Sequence, residues 1–468
     1  MKKFINRNTE LKFLEREYAQ EGSSLVILYG RRRIGKTALM VEFGKDKEMI
    51  YFLATTESEE ENRTAFKNTI ADYIKNEILK ESSISKWDLI FKEFIKDKPE
   101  KKKLLLIDEF QFLGKTNPAF PSIFQKIWDT ILQDQNVMVI LCGSLITLMK
   151  EQTLDYSSPL YGRRTGQIRL KQIPFRYYHE FYSETLQHKE LIEYYSVTGG
   201  VPKYIELFNR SDHYNLFDQI KNNILSTESY LYEEPIFLLQ NEVKEIGSYL
   251  TLLKIIAAGN HKLGHIASAA NLQTSQITFY LKTLINLDIL KREVPITEKN
   301  PEKSKRGIYK IKDNYIGFWF QFIYPYTSYL ETGQQEIVMN KIKQNLLDGH
   351  TAFVYEDICL EEMQDMNKNH SWPFIFDKAG RWWNNSEEID LVAYESAGTN
   401  IIFGECKYTE KPMDVAVFYK LLEKKQDVKW KNQDRKEWFV LFSINGYTDN
   451  LKVLANQRED LKLCYKNP

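Results

Sequence analysis

The sequence predicts an α/β fold built on a parallel sheet, and three observations carry that prediction. An apolar strand at 25–29 runs straight into Gly30-Arg31-Arg32-Arg33-Ile34-Gly35-Lys36-Thr37. A second apolar run, Leu104-Leu105-Leu106-Ile107, ends on Asp108 and Glu109. Further apolar segments at 49–54, 137–142 and 167–171 alternate with helical patterns such as 37–43 and 59–79. That β-α-β alternation is the mark of parallel strands covered by helices on both faces.

Each of the two motif strands ends in chemistry. Gly30 and Gly35 let the backbone double back, so that amide N–H groups converge on a phosphate. Lys36 reaches the β- and γ-phosphates as a point charge, and the Thr37 hydroxyl can ligate Mg²⁺. A helix that starts near Lys36 aims the positive end of its dipole at the same anion. Arg33, Ile34 and Ala38 complete the expected nucleotide-binding stretch. On the second strand, four consecutive apolar residues predict burial on both faces. Such sheets place their sites at the C-terminal strand ends. Asp108 can hold Mg²⁺, usually through water, and Glu109 can orient and deprotonate an attacking water. ATP with Mg²⁺ is the expected ligand, and hydrolysis the expected reaction.

At 468 residues the chain is long enough for two to four domains. Hydrophobic residues make up 43%, enough for real cores, and Lys+Arg equals Asp+Glu at 64 each. With no net charge, any nucleic-acid contact must come from local patches. Met1-Lys2-Lys3-Phe4-Ile5-Asn6 has no apolar core of a signal peptide, and no 18-residue apolar run occurs. A cytoplasmic protein with no membrane partner is expected. Cys142, Cys359, Cys406 and Cys464 are too far apart for zinc spacing or a disulfide framework.

The fourth strand ends Cys142-Gly143-Ser144. Ser144 reads either as a residue beside the γ-phosphate or as part of an ordinary Gly-Ser turn. Arg163 and Arg164, in a glycine-flanked loop, read either as an arginine finger, in cis or from a neighbouring subunit, or as solvated surface charge. Gly199-Gly200-Val201-Pro202 reads as a loop entering a helix, with Pro202 near its first position.

Taken in order, Phe4-Ile5-Asn6-Arg7-Asn8-Thr9-Glu10-Leu11, the arginine-rich loop, Ile107-Asp108-Glu109-Phe110-Gln111, Gly143-Ser144, Pro159-Leu160-Tyr161-Gly162-Arg163 and Gly199-Gly200-Val201-Pro202 resemble the archaeal-type ATPase family. This is a prokaryotic group related to AAA+ and STAND ATPases, and the resemblance covers residues 1–320. It implies an ASCE-type P-loop core whose two motif strands are not neighbours, a helical lid, a winged helix and, in many members, a C-terminal nuclease-like domain. Under it, Ser144 takes the sensor position.

The later segments carry their own signals. A short helix at 263–270, a turn at 271–274 and a helix at 275–290 with Ile277, Leu281, Leu284 and Ile285 on one face read as a winged helix. Its wing would be the polar loop 298–306, where Lys299, Lys303, Lys305 and Arg306 face Glu298 and Glu302. That balance suits phosphate contact, and a winged helix that packs on protein is the alternative. Further on, Glu387-Glu388-Ile389-Asp390 and Ile401-Ile402-Phe403-Gly404-Glu405-Cys406-Lys407 read as two strands joined by a turn near 396–400. Period two puts Glu405 and Lys407 on one face, and a hairpin would bring Asp390 to Glu405. Two carboxylates can bind a divalent cation, and an adjacent lysine can stabilise the water that attacks a phosphodiester. The pattern resembles the PD-(D/E)XK nuclease superfamily, with restriction-endonuclease-like topology. Glu356, on a helix at 352–362, would be an accessory acid, and a charged hairpin without catalysis is the alternative.

The expected division is a core at 1–178, a helical lid at 179–240, a winged helix at 241–320, a helical connector at 321–345 and the nuclease-like domain at 346–468. Two function classes follow. One is an ATPase that controls a domain acting on DNA, and that can form a homo-oligomer. The other is a signalling or scaffolding ATPase whose nuclease-like domain only binds DNA or protein.

Overall fold

The computed structural model describes residues 4–98, 100–182, 186–209 and 215–465. Met1 to Lys3, and residues 183–185 and 210–214 of the expected lid, lie outside the described residues. The chain forms two compact units. The first holds residues 1–173, with 201–203 and 238–244 returning to it; the second holds the rest.

The first unit is a five-stranded parallel sheet: β1 (Ser24–Tyr29), β2 (Met49–Leu53), β3 (Lys103–Asp108), β4 (Val137–Gly143) and β5 (Gly166–Arg169), in the order β2-β3-β4-β1-β5. Every residue of β1, β3 and β4 is buried, as helices on both faces require. On one face Leu39, Met40 and Phe43 of the helix Lys36–Gly44 pack on Val26, Leu28, Leu104 and Ile140. An aromatic cluster covers the other helices of this unit, with Phe66 against Trp87 and Phe91, and Phe110 against Phe120 and Phe124. β4 separates β1 from β3, so the glycine loop and the acidic pair end two strands that flank a third.

The second unit contains two sheets. Helices Ile246–Ala257, Leu263–Ala270 and Thr274–Asn286 precede an antiparallel pair, β6 (Leu290–Glu293) and β7 (Ile308–Ile311). A bridge from Lys262 to Ile308 adds a third short edge. Helix Thr274–Asn286 buries Ile277, Leu281 and Leu284, the apolar spacing seen in the sequence. The larger sheet holds β8 (Lys378–Trp383), β9 (Glu388–Tyr394), β10 (Asn400–Lys407), β11 (Lys436–Ser443) and β12 (Leu461–Cys464), in the order β12-β11-β10-β9-β8. β8, β9 and β10 are antiparallel neighbours, and β10, β11 and β12 run parallel. Its core is formed by Ile389, Val392, Ile401, Phe403, Phe418, Leu421, Phe439 and Leu441. Helix Ala352–Lys368 packs across β8, β9 and β10.

The loop between β6 and β7 is tied down at its base. Ile296 donates its N–H to Arg381 and accepts from the Tyr394 hydroxyl (2.9 and 3.1 Å). Arg292 holds the loop carbonyls of Pro301 and Ser304, and Arg306 donates to the carbonyl of Trp383. Of the four loop cations, Lys299, Lys303 and Lys305 are exposed, while Arg306 is committed to protein. No helix among the described residues is long and apolar enough to cross a membrane.

Candidate functional site

The glycine loop is built by its own backbone. Gly35, at φ +93°, occupies the left-handed region that a side chain disfavours. At Gly30 space decides instead, because a Cβ there would meet the Leu170 carbonyl oxygen at 2.5 Å. Arg33 also takes a left-handed conformation, at φ +70°. The helix Lys36–Gly44 starts at Gly35 with no side-chain cap, which leaves its first N–H groups for an anion. Thr37 and Ala38, in its first turn, are exposed. Lys36 is buried, and its Nζ donates to the carbonyls of Gly30 and Arg31, each at 2.9 Å. Burial lowers its pKa, opposed by Cys142, Glu109 and Asp108.

The acidic strand end is equally ordered. Asp108 is buried; one carboxylate oxygen accepts from the Tyr51 hydroxyl and the other from the Glu109 N–H, both at 2.9 Å. Glu109 has φ +52°, an unusual conformation for a non-glycine residue and one that clusters at functional sites. Ser144 holds the Glu109 carboxylate: its hydroxyl reaches the two oxygens at 2.6 and 2.9 Å and its N–H reaches one at 3.2 Å. The Gln111 amide donates to the same carboxylate. Ser144 therefore contacts the acid rather than standing apart as a turn residue. Gln111 belongs to the motif Ile107-Asp108-Glu109-Phe110-Gln111, but the sequence assigns it no role, and nothing local marks Tyr51. Glu242 closes the site's flank by accepting from the N–H groups of Ile146 and Thr147 (2.9 and 3.3 Å).

The two arginines part company. Arg163 forms a bidentate pair with Asp129 (2.8 and 2.9 Å) and also holds the Pro159 carbonyl. Arg164 stacks near Tyr161, and its Nη1 is buried without a hydrogen-bond partner.

In the second unit, β9 and β10 pair from Tyr394–Ile401 to Leu391–Gly404, so the hairpin forms in the expected register. Asp390 accepts from the Cys406 N–H at 2.8 Å. The Lys407 ammonium sits 2.8 Å from one Glu405 oxygen and 3.7 Å from an Asp390 oxygen, so the three side chains converge. Lys424, on the helix Val415–Lys424, takes the other Glu405 oxygen at 2.5 Å; no local sequence signal points to it. Glu356 lies close enough to act on Asp390, but Arg381 holds its carboxylate at 2.7 and 3.0 Å.

Electrostatics splits the carboxylate pair. Burial, then Glu405 and Glu356, push the Asp390 carboxyl up to about 7, with Lys407 opposing. Burial works to raise Glu405 as well, but Lys407 and Lys424 outweigh it and hold it below its ordinary value. Among the described residues no three His, Cys, Asp or Glu side chains are grouped to hold a metal ion. Lys407 and Lys424 take the two Glu405 oxygens, and Arg381 takes one oxygen of Glu356. Arg381 is the hub of the surrounding network and also chelates Glu293 (3.1 Å to each oxygen). Lys291 and Arg381 outweigh burial and hold Glu293 down at about 2.

A sheet with this strand order, whose phosphate loop and acidic end lie on non-neighbouring strands, defines a P-loop ATPase. Residues 4–208 match the ATPase domain predominantly from Archaea. Residues 319–438 match a domain described as Archaea bacterial proteins of unknown function. An uncharacterised protein of Methanocaldococcus jannaschii is 37% identical over 423 residues, 90% of this chain and 91% of its own length. The chain belongs to the same family as that protein. An uncharacterised ATP-binding protein of the same organism is 50% identical over 46 residues, 10% of this chain and 78% of that protein. Among solved structures, the Walker-type ATPase of Pyrococcus abyssi shares the fold, with a TM-score of 0.52 at 20% identity over 68% of this chain and 96% of its own.

Proposed function

We propose that this ATPase couples its nucleotide state to a nuclease-like C-terminal domain that binds nucleic acid. The observation that carries the reading is the meeting of Asp390, Glu405 and Lys407 at one point of the β9–β10 hairpin. In this reading residues 1–178 are the ATPase core, 179–240 the lid, 241–320 a winged helix, 321–345 a connector and 346–468 the nuclease-like domain. Gly30, Arg33, Ile34, Gly35, Lys36, Thr37 and Ala38 bind the nucleotide. Glu109 positions and deprotonates the attacking water, and Ser144 with Gln111 fixes where that carboxylate points. Thr37 and Asp108 are hard oxygen donors that fit Mg²⁺, which supplies charge neutralisation at the phosphates when bound.

In the C-terminal site the acids are engaged by Lys407, Lys424 and Arg381. That engagement favours a second reading, in which the domain binds DNA or a partner without cutting. One experiment separates the two: cleavage of single- and double-stranded DNA with Mg²⁺ or Mn²⁺, wild type against Asp390→Ala. Cleavage lost in the variant supports the nuclease. Binding without cleavage in the wild type supports the second reading.

A further inference from the structure

We propose that the C-terminal site receives a single strand of nucleic acid through a composite groove, one side of which is supplied by helices outside the nuclease-like domain. This rests on the nucleic-acid reading above and names how that site is approached. A groove of about 660 Å³ opens on Lys407. Besides β10 and the residues that follow it, the groove is lined by Lys189 of the helix His188–Thr198 and by Lys343 of the helix Gln335–Leu346. Lys411, in the loop after β10, is a fourth cation.

Three features argue for a phosphodiester strand. First, the outer cations are not locked in close ion pairs. Lys189, Lys343 and Lys411 form no ion pair among the described residues; Lys189 acts on Glu193 and Lys343 on Glu336 only at longer range, and Lys343 also faces the Phe217 ring at 5.6 Å. Asp348, Glu410 and Asp414 also line the groove, but Asp414 is engaged in capping its helix at the Ala416 N–H (3.2 Å) and accepting from Thr448 (3.1 Å). Second, Lys189 stands in the first turn of its helix, where a positive charge opposes the dipole. The dipole thus disfavours a lysine there, against its attraction to Glu193 four residues on. Its position is set by a tether one turn on, where Glu193 accepts from the Tyr408 hydroxyl at 2.9 Å, next to Lys407. Third, the size suits a drug-sized ligand, on the order of one or two nucleotides of a single strand rather than a duplex. A row of cations lining a groove is the element by which the backbone of a single strand is tracked.

The test uses the full chain carrying Asp390→Asn, so that binding is read without turnover. Fluorescein-labelled oligothymidine and oligouridine are titrated by anisotropy over a salt series. Lys189→Glu with Lys343→Glu is expected to weaken binding at least tenfold and to reduce the salt slope by about 1.4, two phosphate contacts of a single strand. The milder pair Lys189→Gln with Lys343→Gln shifts both in the same direction, with an unchanged thermal melt. The tighter of the two oligonucleotides identifies DNA or RNA as the source. Oligonucleotide binding that is intact in the Glu pair overturns the groove and leaves the nucleic-acid reading standing. Absence of binding by the parent protein overturns both. Competition by poly-L-glutamate as strong, charge for charge, as by unlabelled oligonucleotide overturns the groove in favour of an acidic protein partner.

Discussion

The lysines at the centre of the two sites are held in opposite ways. Lys36 donates to two backbone carbonyls, whereas Lys407 rests on one carboxylate and beside another. Neutral acceptors leave the charge of Lys36 open to an incoming phosphate. Carboxylates on Lys407 must be outcompeted, or must shift, before it can serve a phosphodiester. The acids differ as well. Glu109 is held by a hydroxyl and an amide, which orient a carboxylate without neutralising it, whereas Glu405 is clamped between two ammonium groups. One site is poised by its backbone; the other is balanced between charges drawn from several elements.

The strongest way to break this contrast is at Lys36. Lys36→Ala is expected to abolish ATP binding and cut turnover at least about a hundredfold, because the variant loses the ammonium that the loop holds on the Gly30 and Arg31 carbonyls. Isothermal titration and a phosphate-release assay read both. Glu109→Gln is expected to bind ATP normally and slow hydrolysis by about a hundredfold or more. Turnover at the wild-type rate would remove Glu109 from the base role.

In the second unit the contrast is tested through stability. Arg381→Ala removes the buried cation that the half-buried Glu293 and Glu356 share, and is expected to cost about 3 kcal/mol in a denaturant titration. A smaller effect is expected from Asp390→Asn, and it depends on pH. The folded carboxyl, raised to about 7, binds a proton more tightly than the unfolded one. Its contribution is thus full below about 4 and is lost as pH rises through about 7. Comparing wild type with Asp390→Asn between pH 4 and 8 isolates it. His350, pushed down to about 4 by burial, slopes the other way but is common to both proteins. A difference that does not change over that range would show that Asp390 is ionised throughout.

The smallest effect is expected at Arg163. Its pair with Asp129 is partly exposed, so Arg163→Ala should cost no more than about 1 kcal/mol and leave ATP turnover within twofold. A large loss of turnover would support the finger role and place Asp129 as its resting partner.

Much of the fold was legible because its signals are local. The five strands of the ATPase sheet were visible as apolar runs, and their observed bounds differ from the expected ones by no more than a residue or two. Period two correctly set Glu405 and Lys407 on a common face and brought Asp390 to them across the hairpin. What escaped was every long-range partner. Lys424 follows Glu405 by 19 positions, at the far end of the next helix, and Arg381 meets Glu293 from 88 positions away. Neither residue type nor spacing marks such pairs, because their meeting depends on how helices and loops pack on the sheet. Arg163 shows the same limit in reverse, since the sequence shows a paired arginine in a loop and only packing supplies Asp129.

By itself the sequence determined an ATPase core: a phosphate loop formed by eight consecutive residues needs only its own glycines, its lysine and the strand before it. The tertiary structure alone decided the charge state of the second site. Whether Asp390 holds a proton, whether Glu405 is open to a cation and whether Glu356 can join them depend on burial and on lysines and an arginine brought from elsewhere in the chain. A carboxylate's pKa is a property of its surroundings in space, and spacing along the chain does not encode it.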